Sequence, residues 1–205
     1  MADPGVTTLS ALREIYREPS AVARRKEFDK LDDFCRQFIA RSPFVCIATT
    51  AADGTADCSP RGDPPGSVKV LDERTIMIPD RKGNNRLDTL TNVLANPGVG
   101  LLFLVPGIDE TLRVIGHGEI VSDDAVLAPL AMSGRVPSSA LKVTVQKVFF
   151  HCGKALIRAR LWNPETRIDR DSFPTLGRIL AEQTKSGTVE QAEARVAESY
   201  AKTLY

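Results

Sequence analysis

The chain has 205 residues, enough for one domain with a substantial core, alone or with helical additions. It is 42% hydrophobic and 26% charged, ordinary for a soluble globular protein, and its formal charge of +1 excludes a basic coat for nucleic acid or for an anionic membrane surface. Any anion binding is therefore expected to be local.

The opening "MADPGVTTLSAL" has no basic stretch followed by an apolar one, so no secretory leader is expected, and cytoplasm is the default compartment. The first forty residues read as helix. Thr8 or Ser10 is placed to cap "ALREIYREP", which Pro19 would end. Ser20 is placed to cap a second helix, in which Phe28, Leu31, Phe34, Cys35, Phe38 and Ile39 recur at helical spacing until "RSP" at 41–43 stops it.

From Pro43 to about Cys152 the texture becomes β-rich. "FVCIATT", "TADCSPRG", "SVKVL", "RTIMI", "VGLLFLV", "TLRVIGHGEIV" and "ALKVTVQKVFF" are short runs separated by turn residues. Ala52-Asp53-Gly54 is a hairpin signal, and "VPGIDE" at 105–110 suits a longer hairpin connection. Leu141, Val143 and Val145 alternate with Lys142, Thr144 and Gln146, the pattern of a half-buried antiparallel strand. Many strands with one good internal helix, at about 84–95, predict a closed or partly open antiparallel barrel; helices do not alternate with strands as a doubly wound fold requires. The longest apolar run, 99–105, is far too short to cross a bilayer as a helix. After Trp162 a polar connection leads to two amphipathic helices. The expected organisation is a helical extension over 1–42, a barrel over 43–163 and a second helical extension over 164–205, all in one folded domain.

Four candidate sites emerge. In "IPDRKGNNRLDTL", 78–90, Arg81, Lys82 and Arg86 crowd a strand-to-helix junction with Gly83, Asn84 and Asn85 between them. A helix N-terminus presents unpaired N–H groups and partial positive charge, so this junction suits a phosphate. The competing reading is a solvated basic loop balanced by Asp80 and Asp88. In "CSPRGDPPG", Arg61 at a strand end is placed to add phosphate contacts, or else to pair with Asp63 on the surface. In "HCGKALIRARLW", a helix from Lys154 would set Lys154, Arg158 and Trp162 on one side, for a ligand with a phosphate and a planar ring; otherwise Trp162 anchors the helix to the core. Gly116 and Gly118 flank His117 and permit close approach by a backbone or a flat ligand. The four cysteines, Cys35, Cys46, Cys58 and Cys152, and the two histidines, His117 and His151, show no zinc-ligand spacing, so no metal site is expected. No Walker loop, dinucleotide fingerprint, nucleophile elbow or HExxH pair is present, and the residues alone give an anion-binding β-barrel.

The segments "SPRGDPPG", "RTIMIPDRKGNNRLDTLTNVLANPGVGLLFLVPG", "ETLRVIGHGEI" and "HCGKALIRARLW", in that order over about 40–163, resemble the pyridoxamine 5′-phosphate oxidase-like family of FMN-binding split β-barrels. The resemblance implies a mainly β fold with flanking helices, a homodimer with FMN at the subunit interface, and a flavin-dependent oxidoreductase acting on a small molecule. Carried over by motif, Arg61, Arg81, Lys82, Asn84, Asn85 and Arg86 would hold the phosphate and ribityl chain. Ile78 and Pro79 would lie along the cofactor through their backbone. Thr111, Lys154 and Trp162 would come from the partner subunit, with Lys154 the candidate cation near the ring. The chain departs from the oxidase proper, having Ile78–Pro79 and Asn85–Arg86 where that enzyme has a tyrosine–threonine pair and an arginine–lysine clamp. FMN binding survives this difference better than pyridoxamine-phosphate specificity. The alternatives are a non-catalytic flavin carrier, or a barrel holding another cofactor such as deazaflavin or haem, the last with His117 or His151 as axial ligand.

Overall fold

The computed structural model describes residues 5–16 and 18–204. Residues 1–4 and 205, at the outer ends of the two expected extensions, and Arg17, inside the first expected helical stretch, lie outside them.

Thr8 caps α1 (Leu9–Ile15), its hydroxyl accepting from the Ala11 N–H at 3.2 Å, and Ser20 caps α2 (Ala21–Arg25) in the same way. The second expected helix is broken. Asp32 starts a fresh helix, α3 (Asp33–Arg41), by accepting from the Cys35 N–H at 2.8 Å. Between α2 and α3, Phe28 exchanges two main-chain hydrogen bonds with Val148, at 3.0 and 2.8 Å. A strand-like bridge to the barrel thus wins over local helical periodicity, and only Cys35, Phe38 and Ile39 of the apolar stripe are buried on α3.

The barrel follows with β1 (Phe44–Thr50), β2 (Ala56–Gly62), β3 (Lys69–Val70), β4 (Thr75–Asp80), α4 (Asp88–Ala95), β5 (Gly98–Leu104), β6 (Thr111–Val121), α5 (Asp124–Leu127) and β7 (Ser139–His151). All pairings are antiparallel, in the order β2-β1-β5-β6-β7-β4-β3. Among the described residues seven strands appear where seven runs were expected, although "SVKVL" contributes only Lys69 and Val70. The expected hairpins hold: Ala51 and Thr55 close the β1–β2 turn through a 2.8 Å bond with Gly54 at φ +87°, and residues 105–110 join β5 to β6.

The sheet rolls around a core of Ile47, Ile76, Leu101, Phe103, Leu112, Val114, Val143 and Val145, closed by Ile39 and Phe38 of α3 and Val93 of α4. Curvature is helped by a register shift between Ile115 and Gly116. A Cβ on Gly116 would fall on the Thr144 carbonyl oxygen, so the close approach expected here is to the neighbouring strand, not to a ligand. β4 is covered on both faces, Ile76 and Ile78 entering the main core while Met77 packs with Leu127, Leu130 and Ala140. β3 pairs with β4 only at Ile76 and Met77, so Pro79 sits where β7 is the sole neighbouring strand. An open edge is where a strand tolerates a residue without an N–H.

Beyond β7 come α6 (Lys154–Ala159), α7 (Leu176–Thr184) and α8 (Val189–Thr203). The last two pack on each other through Gly177, where an added Cβ would lie 2.7 Å from the Glu193 backbone, and α8 opens with a capping box between Thr188 and Gln191. Among the described residues no helix is long and apolar enough to cross a membrane.

Candidate functional site

The C-terminal ends of β2 and β4 are not hydrogen-bonded neighbours, yet the rolled sheet brings them together. Two ion pairs tie them: Arg61 Nε lies 3.8 Å from Asp80 Oδ1, and Arg81 Nε donates to Asp63 Oδ2 at 2.6 Å. Around this junction opens a cavity of about 670 Å³, within the range of small-molecule and cofactor sites. Its lining includes loop 81–87 and the first turn of α4, together with the apolar side chains of Pro43, Phe44 and Val68.

Eight of the expected site residues, Arg61, Ile78, Pro79, Arg81, Lys82, Asn84, Asn85 and Arg86, line this one cavity. Arg61 pairs with Asp80 and not with its sequence neighbour Asp63, because the strand end directs it across the opening. Helix α4 starts at Asp88, three residues later than the expected start near Asn85, so Arg86 precedes the first turn instead of lying in it. The reason is the loop itself: Asn85 (φ +58°) and Leu87 (φ +60°) are both left-handed and cannot belong to a right-handed helix. Asn84 Oδ1 accepts from the Arg86 N–H at 3.1 Å, while Arg86 Nε donates to Asp88 Oδ2 at 2.8 Å. Leu87 supplies no side-chain cap to α4, so the first-turn N–H groups at the cavity wall have no oxygen from that residue.

The electrostatics of the cavity are nearly balanced. Among the described residues Arg61, Arg81, Lys82 and Arg86 accompany Asp63, Asp80 and Asp88 in the lining, an excess of one positive charge. Among the described residues Lys82 makes no ion pair, whereas the three arginines each do. Arg81 Nη2 is buried with no hydrogen-bond acceptor among the described residues. Burial pushes the Asp80 carboxyl above its ordinary value, and the Arg61 charge offsets only part of that.

The other three expected residues stand apart from the cavity of their own chain. Thr111 is buried at the start of β6, opposite His151. Lys154 opens α6 at the surface. Trp162 does not share a helical face with Lys154, because α6 ends at Ala159 and Arg160 turns left-handed; its indole N–H instead donates to the Ile108 carbonyl at 2.9 Å. His117 and His151 do not line the cavity, and His151, with Nε2 buried and unpartnered, is held below the usual histidine range by burial, then by Arg113 and Lys26.

Several lining residues were not legible as site residues. Ser59, Ser67, Thr89, Ser138 and Ser139 add hydroxyls, and Asp63 and Asp80 add carboxylates. Ser139 joins the site because β7 pairs it with Asp80, a register that no local signal in "GRVPSS" announces.

The family model described as pyridoxamine 5′-phosphate oxidase matches residues 31–152, well over half of the chain. The chain belongs to the pyridoxamine 5′-phosphate oxidase family. The match runs from the helix that closes the barrel to the end of β7 and includes the whole cavity junction, while α7 and α8 lie beyond it. No curated protein matches the chain. Solved structures similar to this family member include HupZ from Group A Streptococcus, at 18% identity over 58% of this chain and 93% of that one, with a TM-score of 0.49. An F420 reductase is 18% identical over 59% and 98%, TM-score 0.43. An FMN-binding protein from Syntrophomonas wolfei is 10% identical over 70% and 97%, TM-score 0.44.

Proposed function

We propose that the cavity between β2, β4 and α4 holds FMN and that the protein is a flavin-dependent oxidoreductase acting on a small molecule. The observation that carries this reading is the convergence of Arg61, Arg81, Lys82 and Arg86 with the uncapped first turn of α4 around one cavity of about 670 Å³. Four cations and a helix N-terminus suit a phosphate dianion, and the accessible apolar side chains of the lining, Phe44 and Val68, suit a planar ring. Arg81 Nη2 supplies a donor with no acceptor among the described residues.

FMN would bring the two-electron chemistry of its ring, and the protein's part is binding, orientation and electrostatics. Lys82 and Arg86 hold the phosphate end against α4. Arg61 is shared between Asp80 and the incoming anion, so binding loosens the Arg61–Asp80 pair. Ile78 and Pro79 present the open edge of β4 along the cofactor. The family resemblance supports a homodimer in which a second copy adds Thr111, Lys154 and Trp162, all of which stand clear of the cavity in their own chain. The compartment proposed is the cytoplasm.

A second reading, which the family resemblance leaves open, is a flavin carrier without turnover. Reduction of the FMN-loaded protein by NAD(P)H, followed by a panel of acceptors, separates the two. Turnover establishes the enzyme; bound FMN that is never reduced by a pyridine nucleotide nor reoxidised by any acceptor favours the carrier.

A further inference from the structure

Asp57, on β2, lies outside the cavity lining but one hydrogen bond from it. Its Oδ2 accepts from Ser59 Oγ at 3.0 Å, from Thr89 Oγ1 at 3.4 Å and from Thr49 Oγ1 at 3.5 Å. Thr49 in turn accepts from Asn92 Nδ2 at 3.0 Å. Thr49, Thr89 and Asn92 are 4%, 1% and 8% exposed, so this is a buried polar network joining β1, β2 and α4. Thr89 and Asn92 are three apart on α4 and share a face, and Thr89 and Ser59 both line the cavity.

Helix α4 has eight residues, too few to set its own direction, and it has no side-chain cap at Leu87. Its first turn is therefore aimed by tertiary contacts. Val93 anchors the second turn in the core, and the Asp57 network grips the first. We infer that Asp57 is a positioning residue of the phosphate subsite: it fixes Thr89 so that the N–H groups of Asp88, Thr89 and Leu90 are presented to the cavity. This rests on the reading of the cavity as a phosphate-binding flavin site. The carboxylate is needed as a multiple acceptor rather than as a charge, since a negative group close to the subsite works against a bound dianion. An asparagine, which keeps one acceptor oxygen in the same place, therefore retains the function, and alanine loses it.

The test is the ratio of FMN to riboflavin affinity in the full-length protein, since only the phosphate distinguishes the two. Wild type is expected to favour FMN by well over tenfold. Asp57→Ala lowers that ratio about tenfold by weakening FMN alone, whereas Asp57→Asn stays within about twofold of wild type. Thr89→Val, which removes the helix-side hydroxyl with little change of shape, reproduces the Asp57→Ala loss and keeps the test decisive if Asp57→Ala does not fold. A strong wild-type preference for FMN that neither Asp57→Ala nor Thr89→Val reduces overturns this inference alone. Equal weakening of FMN and riboflavin also overturns it, since that marks a purely structural role. A wild type that binds FMN no better than riboflavin overturns the phosphate reading and this inference with it.

Discussion

Arg81 Nε donates to Asp63 Oδ2 across 2.6 Å, joining the residue after β4 to the residue after β2 although the two strands are five places apart in the sheet order. The Asp63 side chain is only 8% exposed, so the pair acts as a clasp inside the split of the barrel. Removing one partner of a well-covered ion pair typically costs about 3 kcal/mol or more, whereas an exposed pair contributes little. Arg81→Ala is therefore expected to lower stability by about that amount in urea unfolding. Arg81→Lys, which keeps the charge but not the planar fork, should lose less. An Arg81→Ala midpoint equal to wild type would show that the clasp does not hold the split together.

Asp80 leads to a pH-dependent prediction. Burial raises its carboxyl above the ordinary value of 3.8, so the folded chain holds that proton more tightly than the unfolded chain. Its contribution to stability is consequently lost as pH rises from about 3.8 through the raised folded-state value. Asp80→Asn, which cannot ionise, should be more stable than wild type at pH 7, and the advantage should vanish below pH 3.8. Unfolding midpoints across that range check it; a variant less stable than wild type at pH 7 would mean that the Arg61 pairing outweighs desolvation.

The Leu87 backbone is left-handed at φ +60° and its side chain is half exposed, so little burial compensates the strain. A left-handed conformation costs a residue with a Cβ about 1 kcal/mol, and glycine avoids that cost. Leu87→Gly should accordingly stabilise the unliganded protein by up to about 1 kcal/mol in denaturant unfolding. Loss of stability instead would indicate that Leu87 packs in a way its exposure does not suggest.

Gly116 tests the geometry of the register shift. An alanine there would drive its Cβ into the Thr144 carbonyl, a backbone atom that cannot swing aside. Gly116→Ala should destabilise the barrel by about 2 kcal/mol or more, and Gly54→Ala, whose Cβ meets open space but whose φ is +87°, by about 1 kcal/mol. Equal tolerance at both positions would contradict the β6–β7 register.

Much of this architecture was legible in the chain because its signals are local. Ala52-Asp53-Gly54 marks a hairpin by its turn chemistry, and the alternation from Leu141 to Gln146 marks one face of β7, whatever the rest of the fold does. The misses share a different cause. Phe28 and Leu31 continue a helical period that the tertiary bridge from Phe28 to Val148 overrides. Asn85 and Arg86 look like a first helical turn until left-handed Asn85 and Leu87 postpone it. The basic loop announced a site, and Asp88, expected to balance it, does pair with Arg86; but Asp63 as the partner of Arg81, and Asp80 as the partner of Arg61, could be assigned only once the sheet had rolled. Ser138 and Ser139 are silent in sequence for the same reason.

The proposed function depends on FMN binding in the cavity at the split of the barrel through its phosphate end. Titration of the purified protein with FMN, followed by quenching of flavin fluorescence, tests it most directly. Saturable binding at one FMN per chain, weakened about tenfold or more when Arg86 and Asn85 are both replaced by alanine without loss of the folded state, is the predicted result. A protein that neither copurifies with FMN nor binds it on titration would contradict the account.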